Sequence, residues 1–215
     1  MREYSLYIFD FDNTLFDTSY GIRAILGRAL PSVGVEYDDS MFPRFVGMTM
    51  EQVFDEFVKD ESKRERFYEE FMAVVRSDVY LSARPFPETG RVLKELKSRG
   101  KRIGIASGKQ KYKIETLMER HGLDGIAEVV IGYGETGLHK PHPDPILHAM
   151  SFFDVPAEET VYVGDSPHDP VAASSAGIDS VIVNRRDGLA PDGIPCTWEI
   201  GSLEGLLDVF GNSDA

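Results

Sequence analysis

Short apolar runs rich in β-branched and aromatic residues recur along the chain, at residues 4–9, 102–106, 128–131, 160–163 and 180–183. Each has the length of a strand and is largely apolar on both faces, as parallel strands covered on both sides are. Helical spacing fills the intervals. Val92, Leu93 and Leu96 fall on one stripe, and so do Ile114, Leu117, Met118 and His121. Strands alternating with helices predict an α/β fold with a parallel sheet. One stretch breaks the alternation. From residue 16 to residue 84 the spacing is helical, with Phe67, Phe71, Val74 and Val75 on one face and no strand pattern. Within it, Thr49-Met50-Glu51-Gln52 reads as a capping box opening a helix. So long a helical stretch exceeds an ordinary crossover and predicts an inserted domain over 16–84, with 1–15 and 85–215 forming the core. Arg84-Pro85-Phe86-Pro87 is its expected second hinge, because the prolines enforce extended backbone.

Composition narrows the setting. The chain has 215 residues, 23 Lys plus Arg and 36 Asp plus Glu, a net charge of −13. That balance argues against an electrostatic grip on nucleic acid or anionic lipid. The lone cysteine, Cys196, cannot form an internal disulfide, and no apolar run reaches the roughly 18 residues of a membrane span. The start, Met1-Arg2-Glu3-Tyr4, lacks the layout of a signal peptide, so a reducing, cytoplasmic setting is expected. Residues 187–215 hold six acids and no Lys or Arg, and read as a solvated face.

In parallel sheets, ligands collect beyond the carboxyl ends of the strands. The first predicted strand runs into Asp10-Phe11-Asp12-Asn13-Thr14. If the extended backbone persists, Asp10 and Asp12 face the same way and repel unless a cation or proton sits between them. A turn with Asp12-Asn13 at its corner is the plainer reading. The second strand ends in Ser107-Gly108-Lys109, a hydroxyl and backbone N–H groups suited to a phosphate, or simply a turn. A nucleotide P-loop is excluded there: Ile103 stands at its first glycine and Gln110 follows the lysine. After the third strand, Gly132-Tyr133-Gly134-Glu135-Thr136-Gly137 fits the bare dinucleotide pattern, but Pro141, Pro143 and Pro145 forbid the helix that pattern requires. Lys140, stiffened by Pro141, is instead a candidate fixed point charge. His139 and His142 lack a third ligand for a metal. The fourth strand ends in Gly164-Asp165-Ser166-Pro167-His168-Asp169, a helix start with Ser166 as cap that still leaves Asp165 at the sheet edge.

In this order, strand-end Asp-x-Asp, Ser-Gly, Lys-Pro and Gly-Asp-Ser-x-x-Asp resemble the haloacid dehalogenase superfamily over essentially the whole chain. The resemblance is narrower to its phosphoglycolate phosphatase-like branch, in Asp10-Phe11-Asp12-Asn13-Thr14-Leu15, in the helix between Gly90 and Gly100, and in Gly164-Asp165-Ser166 through Asp169. Ser107-Gly108 departs from the Thr-Asn common there. The resemblance implies a Rossmann-like parallel sheet core with an inserted helical cap, and a Mg²⁺-dependent phosphatase of small phosphorylated metabolites. Asp10 would attack phosphorus to form an aspartyl-phosphate, and Asp12 would protonate the leaving oxygen and then activate water. Ser107, Gly108 and Lys140 would hold the phosphoryl oxygens. Asp10, the Asp12 backbone carbonyl and Asp165 would bind Mg²⁺, with Asp169 orienting a bound water or Lys140. Arg23, Arg44 and Val46-Gly47-Met48-Thr49 are candidates for reading the leaving portion of phosphoglycolate, pyrophosphate, a nucleoside monophosphate or a sugar phosphate.

Alternatives stay open at this point. A haloacid dehalogenase would not need Asp12, Asp165 and Asp169 together. A sugar phosphomutase shares Asp10 and Asp12 but tends to carry an acid where Gly164 stands. A phospho-acceptor signalling domain uses similar groups, but its phosphorylated Asp lies at a later strand and it carries no helical insertion. A silent interaction protein would not need the full motif set.

Overall fold

The computed structural model describes residues 2–45, 48–185, 193 and 195–208. The chain divides into two compact units, Met1–Asp17 with Arg84–Ala215, and Thr18–Ala83.

The first unit is built on a six-stranded sheet in the order β5-β4-β1-β6-β7-β8, parallel throughout. Its strands are β1 (Leu6–Phe9), β4 (Arg102–Ala106), β5 (Val129–Ile131), β6 (Thr160–Gly164), β7 (Asp179–Val183) and β8 (Trp198–Ile200). All four residues of β1 are buried, the signature of a central strand covered on both faces. Leu6 and Ile8 join Ala106, Ile131, Tyr162 and Ile178 in one core layer, while the rings of Tyr7 and Phe9 stack on the other face, 6.4 Å apart. Burying such a side chain contributes about 1.5–3 kcal/mol.

Two pairings lay outside the sequence expectation. β8 falls in the acidic segment assigned to a solvated face, yet it completes the sheet, and Leu203 and Leu206 behind it are fully buried. A three-residue edge strand is too short to display a period. The second is an antiparallel ribbon of β2 (Phe16–Asp17) and β3 (Arg84–Pro85), which pairs Phe16 with Pro85 and Asp17 with Arg84. Just past β7, Arg185 reaches back towards this ribbon. Its guanidinium lies 2.7 Å from Glu88 Oε1, donates to the Thr14 carbonyl at 3.1 Å and covers the Phe86 ring at 3.4 Å.

The unit Thr18–Ala83 is helical. α1 (Ser19–Ser32) buries Leu26, Ala29 and Leu30, and α3 (Arg64–Val75) buries Phe67 and Val74. Glu70 is buried between Arg28 and Arg66, the latter at 2.6 Å. Between them, α2 (Met50–Val53) opens on the capping box: Thr49 Oγ1 accepts from the Gln52 amide at 3.1 Å, and Gln52 Oε1 accepts from the Thr49 amide at 2.8 Å. Val46 and Gly47, candidates for reading the substrate, lie outside the described residues.

The remaining helices cover the sheet: α4 (Thr89–Ser98), α5 (Lys111–Arg120), α6 (Asp144–Met150) and α7 (His168–Ser175). The predicted stripes are their inner faces. Val92, Leu93, Leu96, Ile114 and Leu117 are fully buried, and His121 caps α5 with its ring edge-on to Phe16 at 5.6 Å. The prolines that exclude a helix at Gly132 open α6 instead, with Pro143 at its cap and Pro145 in its first turn, where no amide partner is lost. Among the described residues, no helix is long and apolar enough to cross a membrane.

Candidate active site

β1 lies between β4 and β6, and the chain runs from β1 to one side of the sheet before returning to the other. That reversal opens a crevice at the carboxyl end of β1, the place where parallel sheets bind ligands. Asp10, Ser107 and Asp165 directly follow β1, β4 and β6. The Asp10 amide donates to the Val163 carbonyl at 2.8 Å, and the Ser107 amide to Ile131 at 3.0 Å, so both side chains leave from fixed backbone. Beyond Asp10 the chain turns tightly. Asn13 takes the left-handed conformation, φ 55°, which asparagine tolerates, and its amide donates to Phe16 at 2.7 Å.

Three carboxylates converge there. Asp10, Asp165 and Asp169 each place an oxygen within 4.8 Å of the others, and all three are buried. Lys140 enters from the β5–α6 loop. Its Nζ lies 3.0 Å from Asp10 Oδ1 and 2.7 Å from Asp169 Oδ1, and donates to the Tyr162 hydroxyl at 2.7 Å. Tyr162 in turn donates to the Ala106 carbonyl at 2.6 Å, and Thr14 Oγ1 donates to Asp165 Oδ1 at 3.1 Å.

The charge in this crevice is unbalanced, three carboxylates against one buried ammonium. Burial pushes the Asp10 carboxyl up to about 6; Lys140 opposes that, while Asp169 and Asp12 add to it. Asp165 is also raised, by burial first and then by Asp10 and Asp169. Burial would lower Lys140, but Asp10 and Asp169 outweigh it and hold the ammonium charged. Asp10 Oδ1 is buried and, despite the nearby ammonium, has no aligned hydrogen-bond donor. Oxygen-only donors and a surplus of buried negative charge over the single ammonium fit a hard divalent cation.

Some expectations change in detail. Ser166 does not cap α7, whose cap position is Pro167; Asp169 instead ties down the turn before the helix, its Oδ2 accepting from the amides of Asp165 and Ser166 at 3.0 and 2.9 Å and from Ser166 Oγ at 3.0 Å. A carboxylate in the first helical turn can reach back to two backbone donors at once, where a hydroxyl reaches one. Asp12 does not join the buried cluster. The strand has ended by then, and its half-exposed carboxylate meets Lys109 Nζ at 2.6 Å. Gly108 is exposed, with open space where a Cβ would stand. His139 stacks on Tyr133 at 4.3 Å and His142 faces Asp144 at 3.1 Å, so the two histidines have other company. The contacts of Thr14, Lys109 and Tyr162 were not read from the sequence, although Thr14 and Lys109 stand within its motifs. Tyr162 alone carried a signal, a hydroxyl on an otherwise apolar strand that needs a buried partner.

The model of the haloacid dehalogenase-like hydrolases matches residues 7–183 of this chain. The chain belongs to the haloacid dehalogenase-like hydrolases. Its relatives include the pyrophosphatase PpaX of Oceanobacillus iheyensis, 28% identical over 97% of both chains. A phosphoglycolate phosphatase of Aquifex aeolicus is 27% identical over 81% of this chain and 82% of its own. Among solved structures, a haloacid dehalogenase-like hydrolase from Bacteroides fragilis superposes with a TM-score of 0.80 at 30% identity, covering 95% of this chain and all of that one. The enzyme is thus a phosphatase of this family.

Gly164 has no room for a side chain, because a Cβ there would lie 2.2 Å from Asp169 Oδ2. Gly164→Ala should therefore displace the carboxylate that holds Lys140, with turnover falling about 100-fold, the cost of roughly 1 Å of misplacement. Steady-state phosphate release, with circular dichroism to check folding, reads the effect. An alanine variant with full turnover would show that Asp169 need not stay where it is.

Proposed function

We propose that this phosphatase hydrolyses a small phosphorylated metabolite with Mg²⁺ and an aspartyl-phosphate intermediate on Asp10. The observation that carries the reading is the gathering of Asp10, Asp165 and Asp169 around Lys140 at the switch point of the sheet. Asp10 is the nucleophile: its oxygen bonds to phosphorus as the leaving oxygen departs, splitting one hard displacement into two. Asp12 gives the leaving oxygen its proton and takes one from the water that then attacks the acyl-phosphate. Ser107, the Gly108 backbone and Lys140 hold the phosphoryl oxygens. Asp10, the Asp12 carbonyl and Asp165 hold the cation, while Asp169 fixes Lys140. When bound, Mg²⁺ neutralises charge that would otherwise repel a dianionic substrate.

The pyrophosphatase and phosphoglycolate phosphatase relatives support a compact substrate with a second anionic group beside the scissile phosphoryl. We assign substrate choice to the helical unit, inserted directly after the Asp10–Asp12 turn, with Arg44 as a selecting residue. Thr49 serves as a helix cap. Composition supports a cytoplasmic enzyme with no nucleic-acid or membrane partner.

Phosphate release from a panel of phosphorylated metabolites, with and without Mg²⁺, tests the reading. Thorough chelation should remove activity and Mg²⁺ restore it. Asp165→Ala should lose most activity by weakening cation binding, so excess Mg²⁺ should recover part of it. Turnover untouched by chelation would remove the metal from the scheme.

A further inference from the structure

The two lysines of the site divide its carboxylates between them. Lys140 serves Asp10 and Asp169, whereas Lys109 Nζ sits 2.6 Å from Asp12 Oδ1. We propose that Lys109 is a positioning residue for the acid–base carboxylate, holding Oδ1 of Asp12 so that the second oxygen handles the proton; this rests on the role given to Asp12 above. The Lys109 side chain is 14% exposed and that of Asp12 35%, so Lys109 is the more firmly embedded partner. A half-exposed carboxylate at the tip of a turn has rotamer freedom to lose, and proton transfer needs the donor within hydrogen-bond reach of the leaving oxygen.

The backbone around Lys109 is built to keep it in place. Its carbonyl accepts from the Tyr133 amide at 2.9 Å, and its own amide lies 3.4 Å from Ser107 Oγ. The loops after β4 and β5 pack backbone to backbone here. A Cβ on Gly132 would stand 2.3 Å from the Lys111 amide nitrogen and 2.9 Å from the Lys109 carbonyl oxygen. The ammonium also lies 5.9 Å from the centre of the Phe11 ring, a cation–π distance, beside the same turn that carries Asp12. One arm of the site thus reaches from β4 to steady a group that follows β1.

In the first step a bond forms between Asp10 and phosphorus, the bond from phosphorus to the leaving oxygen breaks, and the Asp12 proton moves to that oxygen. A leaving group stable as an anion departs without the proton; a basic one does not. Loss of Lys109 should therefore penalise basic leaving groups selectively. The test compares kcat/KM, which reports the first step, across aryl phosphates of graded leaving-group basicity for the wild type, Lys109→Met, Lys109→Arg and Asp12→Asn. Lys109→Met should lose less than about threefold with p-nitrophenyl phosphate and about 10- to 100-fold with the most basic leaving group, a part of what a general acid supplies. Lys109→Arg should restore the shallow wild-type dependence. If Lys109→Met loses activity equally across the series, or only through KM, Lys109 acts on substrate or fold and the inference falls. If Asp12→Asn itself shows no steeper dependence than the wild type, the acid role of Asp12 fails first and takes this inference with it.

Discussion

Asp10→Asn is expected to leave no measurable turnover and no covalent phosphoryl adduct. An amide oxygen is a far weaker nucleophile than a carboxylate, and Asp10 is the strand-end carboxylate that lies beside the Lys140 ammonium. The neutral amide keeps the shape of the site, so the fold should survive; the loss is chemical. Asp12→Ala separates the two halves of the reaction. With p-nitrophenyl phosphate the first step needs little protonation and proceeds, while the second stalls for want of a base. Intact mass should then show one added phosphoryl group, labile to hydroxylamine and mapping to Asp10, where the wild type shows little. An adduct on Ser107 or on a histidine, or full turnover by Asp10→Asn, would overturn the assignment.

Arg185→Ala is expected to cost about 3–5 kcal/mol, the penalty for removing one partner of a buried ion pair. That is a large part of the roughly 5–15 kcal/mol that holds a typical domain. Arg185 is 7% exposed and binds Glu88, the Thr14 carbonyl and the Phe86 ring together, so its loss leaves the largely covered Glu88 carboxylate with only the long contact from the Leu203 amide and frees the turn that carries Asp10 and Asp12. The pH dependence gives a second readout. Burial alone would raise the Glu88 carboxyl, but the hydrogen bond and charge of Arg185 outweigh it and hold the group below its ordinary value. A lowered carboxylate adds stability that is fully present above its unfolded value and is lost as pH falls through the folded one. Without Arg185 that lowering weakens, while the backbone amides still favour the charged form, so this contribution shrinks. The deficit measured by urea denaturation should therefore be largest near neutral pH and shrink towards acid pH. Adding Glu88→Gln to Arg185→Ala should recover part of it, and a deficit insensitive to both would mean the pair contributes little.

The sheet was largely legible because β1, β4, β6 and β7 are apolar on both faces, and residues with no polar side to show can only be interior. The turn after β1 was legible for a related reason: Asp, Asn and Thr in sequence have little use except to bend the chain and bind something. What stayed hidden depends on long-range partners. Arg185 meets Thr14 across 171 positions, and Lys109 meets Asp12 across 97, distances over which no periodicity carries information. Lys109 was visible as a residue but read only against a nucleotide motif. β8 was obscured by composition, since an acidic tail and a half-buried edge strand share the same charged side chains. The capping error at Ser166 has a simpler origin. Both Ser166 and Asp169 fit the motif, and only geometry shows which of them takes the amides.

The short ribbon of β2 and β3 has a consequence for how the gene can change. Because Asp17 and Arg84 sit opposite each other on adjacent strands, the α/β unit is closed at the point where the helical segment leaves and rejoins it. Any replacement segment has only to bring its two ends to neighbouring rungs of that ladder. The entropy of closing such a loop grows with the logarithm of its length, about 0.6 kcal/mol for each doubling. Insertions of very different size can thus be exchanged at this junction for nearly the same free energy, while the spacing of Asp10, Ser107, Lys140 and Asp165 is left alone.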